Sequence, residues 1–268
     1  MMVHMELGAV HLTVSHLDRS VGFYQDAIGL SVRRRDDRSA VLGAGEEDVL
    51  VLVEEPGARP AGRHAGLYHV ALLHPSREEL ARALQRLAVT RTPIEGASDH
   101  GVSEAIYLPD PDGNGLELYA DRPRERWPAP GPGERVGMYT RALDLQALLD
   151  LVVADPPRPR AGAGLRVGHV HLHVSDLEAA VDFYTRELGL DEMTRYPGAA
   201  FLSWNGYHHH LGLNTWRGAG VPAAPQPGSG VAGMRQMTVV GAAGEPRTLT
   251  DPSGNAIAVV PAAAPVAA

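Results

Sequence analysis

Hydrophobic and polar positions alternate through Val10, Leu12 and Val14 and again through Val170, Leu172 and Val174, the period of a strand with one buried face. Each alternating run gives way to helical spacing: Val21, Tyr24 and Ile28 after the first, Val181, Tyr184 and Leu188 after the second. Gly29 and Gly189 follow, where a helix C-terminus favours a residue at ease in the left-handed conformation. Short β-rich runs come next: SVRRRDD, SAVLGAG and DVLVLVEE in one case, DEMTRYP, AAFLSWN and YHHHLGLNTW in the other. The pattern predicts a β-α-β-β-β unit used twice. The two segments are copies: GAVHLTVSHLDRSVGFYQDAIGL from Gly8 matches GHVHLHVSDLEAAVDFYTRELGL from Gly168 at an offset of 160.

A second unit type lies between them. GLYHVALLHP reads as a strand, SREELARALQRLA as an amphipathic helix, and SEAIYLPDPDGNGLELYAD as a hairpin turning at Asp112-Gly113-Asn114. A distant copy near the C-terminus keeps GMRQMTVVG and TLTDPSGNAIAVVP with only a short connection in place of the helix, so the fourth unit is degenerate. PRERWPAPGPGER breaks the pattern, MYTRALDLQALLDLVVA predicts a strand and a helix, and PPRPRAGAG reads as a linker. The expected organisation is a first domain over 5–125 (units 5–58 and 64–125), a connection over 126–163, and a second domain over 164–263 (units 164–217 and 228–263). The tail PAAAPVAA is expected to be disordered.

A chain of 268 residues with 44% hydrophobic and 21% charged residues is long enough for two globular cores. Its net charge of −8 argues against a nucleic-acid groove and against docking to an acidic membrane surface. No apolar run approaches a membrane span, and the start lacks a basic region followed by an apolar core, so a cytoplasmic location is expected. Homo-oligomerisation stays open. All basic side chains are Arg, which excludes a lysine Schiff base. With no Cys, any metal must be held by His and carboxylate. Three distant segments offer such groups in equivalent strand contexts: His69 in GLYHVAL, Glu117 in DPDGNGLELYADRP and His169 in VGHVHLHVSDL. Two imidazoles and one carboxylate make a facial ligand set that leaves the opposite face of a divalent metal open.

Four β-α-β-β-β units carrying DPDGNGLELY and HVHLHVSDLEAAVDFY resemble the vicinal oxygen chelate superfamily of glyoxalases, extradiol dioxygenases and the bleomycin and fosfomycin resistance proteins. The resemblance covers nearly the whole chain. It implies an α+β fold in which units pair into cupped mixed-sheet half-barrels, with metal ligands on first and last strands. His69 and His169 match the first-strand ligand position, directly before V-x-L, where the first unit has Ala9 and the fourth Gln236. Glu117 matches the last-strand ligand, where the fourth unit has Ala258. Pairing units in chain order would leave both sites incomplete. Pairing unit two with three assembles His69, Glu117 and His169 in one cup and leaves units one and four a cup without ligands. That pairing is the expectation, subject to strand register.

Within the superfamily the chain looks most like extradiol dioxygenases of the catechol 2,3-dioxygenase type. Their His-His pair resembles Tyr207-His208-His209-His210-Leu211-Gly212-Leu213, with His209 aligned to the catalytic second His. Tyr107, ten residues before Glu117, and His100, somewhat upstream of it, match further catalytic positions, though His100 sits about two residues closer than in the family. The resemblance implies a small aromatic diol and O2 as substrates and Fe(II), or Mn(II), as the metal. His209 is expected to do acid–base work, Tyr107 to donate to a substrate oxygen, and His171 or His173 to orient ligands by hydrogen bonds.

Blander readings stand beside these. Strand period two would send His208 and His210 to one face and His209 to the other, so a slip in register would give His210 the role. Tyr107 could be a core aromatic, His100 a surface loop residue, and His11 a buried, partnered residue of the ligand-free cup. Phe201, Trp204 and Trp216 could line a pocket, with a core role preferred, and DPDGN reads mainly as turn chemistry. One rival function is a glyoxalase-like lyase or isomerase with Zn(II) or Ni(II), which would need a carboxylate on both last strands. The other is a non-catalytic drug-binding protein of the same fold, which would need no ligands.

Overall fold

The computed structural model describes residues 5–241 and 244–262. Unit one comprises β1 (Glu6–Val14), α1 (Leu17–Phe23), β2 (Ser31–Arg35), β3 (Ser39–Ala44) and β4 (Glu47–Glu54). Unit two comprises β5 (Gly66–His74), α2 (Arg77–Thr90), β6 (Gly96–Asp99), β7 (Ser103–Pro109) and β8 (Gly115–Asp121). The connection carries β9 (Arg141–Ala142) and α3 (Leu145–Leu149). Unit three comprises β10 (Arg166–His173), α4 (Leu177–Leu188), β11 (Asp191–Tyr196), β12 (Ala199–Ser203) and β13 (Leu211–Asn214). Unit four has β14 (Gly233–Val240), β15 (Arg247–Thr250) and β16 (Ala256–Val260) and, among the described residues, no helix. The tail expected to be disordered lies, from 263 onward, outside the described residues.

Local signals place the helix ends. Ser76 and Asp176 accept from the backbone N–H groups of Glu79 and Ala179, capping α2 and α4. Gly189 ends α4 at φ 65°, and Gly29 at φ 85° ends the π-turn that extends α1 over Tyr24–Ile28. Carbonyls left unpaired there, those of Ala27 and Ile28, accept from the buried Arg86 guanidinium of α2, so a cation on one unit's helix closes the helix of the unit before it.

The units pair as the ligand pattern requires. One sheet has nine strands in the order β11-β12-β13-β10-β5-β8-β7-β6-β9; the other has seven in the order β15-β16-β14-β1-β4-β3-β2. Units two and three therefore share one cup, and units one and four the other. A single unit pairs its first strand with its own last strand and leaves the other edge bare. Joining two first strands antiparallel, β5 with β10 and β1 with β14, closes both edges. The registers are equivalent: His171 faces His69 in one cup and His11 faces Gln236 in the other. Likewise Ala71 pairs with Glu117, and Thr238 with Ala258. Gln236 and Ala258 thus occupy the places of His69 and Glu117. His11 is only half-buried, unlike the buried residue expected.

The two cups are clamped together by turns that do more than reverse the chain. Asp110 accepts from the backbone N–H of Asp112 and Asn114, from Asn114 Nδ2, and from the Tyr24 hydroxyl of the first unit at 3.0 Å. Asp251 repeats this set with Ser253, Asn255 and, at 3.0 Å, Tyr184 of the third unit. Both tyrosines are fully buried, so each hydroxyl needs the partner that a turn of the other cup supplies. Among the described residues, no helix is long and apolar enough to cross a membrane.

Candidate metal centre

β5 and β10 lie antiparallel at the centre of the nine-stranded sheet, and β8 runs parallel to β5 on its other edge. Inward positions of these strands bring together His69, Glu117 and His169, all buried, with one potential ligand atom of each within 4.8 Å of the others. Glu117 Oε2 lies 3.0 Å from Nε2 of His69 and 3.0 Å from Nε2 of His169. Only His169 makes a proper hydrogen bond to it; His69 Nε2 is a buried nitrogen without a hydrogen-bond partner. Among the described residues this is the one such cluster, and the outer cup offers none.

The protonation states suit a cation. Burial acts to raise the Glu117 pKa, but the neighbouring His169 and His69 outweigh it and hold the carboxyl well below the usual range. Burial in turn lowers His169, against the pull of Glu117. An ionised carboxylate, imidazoles with lone pairs and an orphaned ring nitrogen converging on one point form a donor set that fits a divalent metal.

These three side chains lie in the wall of a cavity of about 370 Å³, lined also by Tyr107, His100, His209, Phe201, Tyr196, Tyr68 and Trp216. Tyr107 stands beside Glu117 across the β7–β8 pair, and burial, then Glu117, pushes its phenol pKa well up. Its hydroxyl is 2.8 Å from His100 Nε2, while His100 Nδ1 is 3.0 Å from the backbone oxygen of Tyr139. A carbonyl only accepts, so neutral His100 carries its proton on Nδ1 and Tyr107 donates to Nε2. Sequence pattern did not mark Met138, Tyr139 and Thr140, which also line the cavity. They arrive because the two-residue β9 pairs with Ser98 and Asp99 at the edge of β6.

The histidine run departs from expectation. YHHHLGLNTW is not a strand throughout: β13 starts at Leu211, and residues 204–210 form a turn and an irregular segment. Without a pleat the parity argument fails, and although both rings lie against Tyr207, His208 and His210 take different hydrogen-bond partners. His209 lines the cavity with its ring centroid 4.1 Å from that of His169. His208 packs behind it with Nδ1 2.9 Å from His209 Nδ1, and His210 turns away to Ser203 Oγ at 2.8 Å. Burial, followed by the nearby imidazoles, lowers the His209 pKa well below its usual value.

Other assignments divide. His171 and His173 bond Asn214, at 2.9 and 2.7 Å, and make no hydrogen bond to His69, Glu117 or His169. Phe201 and Trp216 line the cavity, whereas Trp204 donates to the Leu188 carbonyl at 2.8 Å and belongs to the core. The strand carrying His169 also needs Gly168, since a Cβ there would lie 1.9 Å from the Tyr119 hydroxyl.

Repeated units paired into two cups, with a His-Glu-His cluster in one of them, define the vicinal oxygen chelate architecture. The chain belongs to the Glyoxalase/Bleomycin resistance protein/Dioxygenase superfamily, whose sequence model matches residues 4–118 and 166–215. It is 46% identical over 230 residues to a Catechol-2,3-dioxygenase of Bacillus subtilis (strain 168), covering 84% of this chain and 80% of that protein. Two crystal structures share the fold. Glyoxalase I from Zea mays superposes with a TM-score of 0.59 at 17% identity, over 96% of this chain and 92% of that one. A Bacillus subtilis protein provisionally described as a dioxygenase gives 0.63 at 12% identity, over 96% and 84%.

Proposed function

We propose that this chain is an extradiol ring-cleaving dioxygenase that opens a catechol-type ring beside its two hydroxyls and places both atoms of O2 in the product. The observation that carries this reading is the His69, Glu117 and His169 cluster at an aromatic cavity that also holds His209, within a chain 46% identical to a catechol dioxygenase. His69, Glu117 and His169 hold the metal, Fe(II) or alternatively Mn(II). When bound, that metal would supply Lewis acidity toward the diol and redox activity toward O2.

The remaining work falls to protein groups. His209 takes a proton from a diol hydroxyl and returns it to a product oxygen. Tyr107 and His100 act as a reversible pair on the facing wall. When His100 is protonated its Nε2–H donates to Tyr107, which frees the phenol proton to bond a substrate oxygen. Phe201, Tyr196, Tyr68 and Trp216 supply faces for an aromatic ring. Among the described residues no Arg lines the cavity and Glu117 is the one carboxylate that does, so rings without an anionic substituent fit best. A glyoxalase-like lyase would need a second carboxylate, which the lining does not offer.

Anaerobic reconstitution with Fe(II), followed by catechol and air, tests the reading through near-ultraviolet absorbance of a ring-opened semialdehyde. The product should require O2 and disappear in His69→Ala and His169→Ala. Tight Fe(II) binding with no turnover across a panel of catechols would sink the proposed reaction.

A further inference from the structure

Behind His209 a chain of hydrogen bonds leads out of the cavity to Asp121, the last residue of β8. His209 Nδ1 is 2.9 Å from His208 Nδ1, and His208 Nε2 is 2.8 Å from Asp121 Oδ1. The Tyr207 hydroxyl donates to both oxygens of the same carboxylate, at 3.0 and 2.9 Å, and lies 2.9 Å from the Tyr119 hydroxyl. His208 is fully enclosed, whereas the Asp121 side chain is 28% exposed.

The polarity of this chain follows from its end. A carboxylate has no proton to give, so the His208 Nε2–H donates to it. When that is the only proton on the ring, His208 has a bare Nδ1. Two imidazole nitrogens in contact cannot both accept, so His209 must carry its proton on Nδ1. Its Nε2 is left with a lone pair, and among the described residues no protein group bonds that atom. His209 itself lines the cavity.

We infer that Asp121, acting through His208, fixes the tautomer of His209 so that it presents a bare Nε2 to the substrate as proton acceptor. Asp121 and His208 are positioning residues; neither lines the cavity. The arrangement obeys the logic of a base oriented by a carboxylate, with a second imidazole inserted between them. The part assigned to His209 rests on the proposed dioxygenase reading, whereas its tautomer does not.

The experiment is 15N NMR of the metal-free, histidine-labelled protein at mildly alkaline pH, where the ring nitrogen shifts separate N–H from bare nitrogen. His209 should appear as the Nδ1–H tautomer. Asp121→Ala should populate the Nε2–H form, because His208 loses the acceptor that fixes its own proton. Tyr207→Phe should leave the tautomer unchanged, since it removes a bond to Asp121 but not the His208 bond. In the Fe(II)-loaded enzyme, Asp121→Ala should lower kcat about 10- to 100-fold with KM little changed, part of what full loss of an acid–base group removes. An Nε2–H tautomer in the wild type, or an Asp121→Ala spectrum identical to wild type, overturns the inference. Should Asp121→Ala fail to fold, the wild-type spectrum alone decides. The expected tautomer in a protein that opens no catechol would refute the reaction and leave the Asp121 assignment standing.

Discussion

His74 closes β5, the strand that carries His69, and it is buried with neither ring nitrogen hydrogen-bonded. Burial, helped by the nearby Arg86 cation, lowers its pKa from 6.5 to about 3. Above pH 6.5 the ring is neutral in the folded and unfolded chain and carries no pH dependence. As pH falls below 6.5 the unfolded chain takes up a proton that the folded chain refuses, so stability is lost progressively down to the folded value. Each pH unit costs about 1.4 kcal/mol, so this residue alone removes about 3 kcal/mol between pH 6.5 and 4.5. His74→Leu removes the effect and two unsatisfied buried nitrogens together, so at pH 8 it should change stability by less than about 1 kcal/mol. Urea unfolding of the metal-free wild type and variant at both pH values, with m-values held constant, measures the difference. The variant should gain about 3 kcal/mol on the wild type at pH 4.5 relative to pH 8. Parallel acid limbs for the two proteins would refute the reasoning, as would an equal loss at both pH values. Metal titrations are accordingly best run above pH 6.5.

Four further outcomes are expected. Titration calorimetry should find one tight divalent-metal site per chain, abolished in Glu117→Ala and untouched in Gln236→Ala, because the outer cup lacks the ligand set. Asp110→Asn and Asp251→Asn should each cost about 3 kcal/mol in urea unfolding, since each turns an acceptor of two side-chain donors into a donor. Only Asp110→Asn should also weaken metal binding, because its turn sets the start of the Glu117 strand and no ligand follows the turn of Asp251. Tyr107→Phe should lower kcat about 10-fold or more, with Fe(II) affinity unchanged by calorimetry, because in the proposed reaction its hydroxyl, bonded to His100 Nε2, handles a proton and does not hold the metal. A catechol panel compared by kcat/KM should favour neutral or alkyl-substituted rings over carboxylated ones by about 10-fold or more, since an unpaired buried anion is costly and among the described residues no Arg lines the cavity to meet it.

Much of this protein is legible in the chain itself, because the signals concerned are local and repeated. Alternation followed by helical spacing and Gly29 or Gly189 marked the units, and copying at an offset of 160 showed that they recur. Even the pairing of units across the chain could be argued, since Ala9 and Ala258 have no donor atom and Gln236 is a poor replacement for an imidazole, whereas His69, Glu117 and His169 offer a full donor set. The antiparallel pairing of β5 with β10 depends on edges that every unit leaves bare, which is also a property of the repeat. Tertiary structure alone decided what irregular segments do. The run from Tyr207 reads as a strand by composition, yet β13 starts only at Leu211 and residues 207–210 have no pleat, so facing by parity fails at the histidine run. The cavity walls from Met138 to Thr140 carry no periodic signal and are set by the docking of β9 on a distant edge. The path from His209 to Asp121 joins residues 88 positions apart, and its polarity exists only when the side chains of His209, His208 and Asp121 come within hydrogen-bonding distance. Hydrophobic period reports which face of an element is buried; direction and identity of polar contacts depend on three-dimensional proximity, which no local pattern encodes.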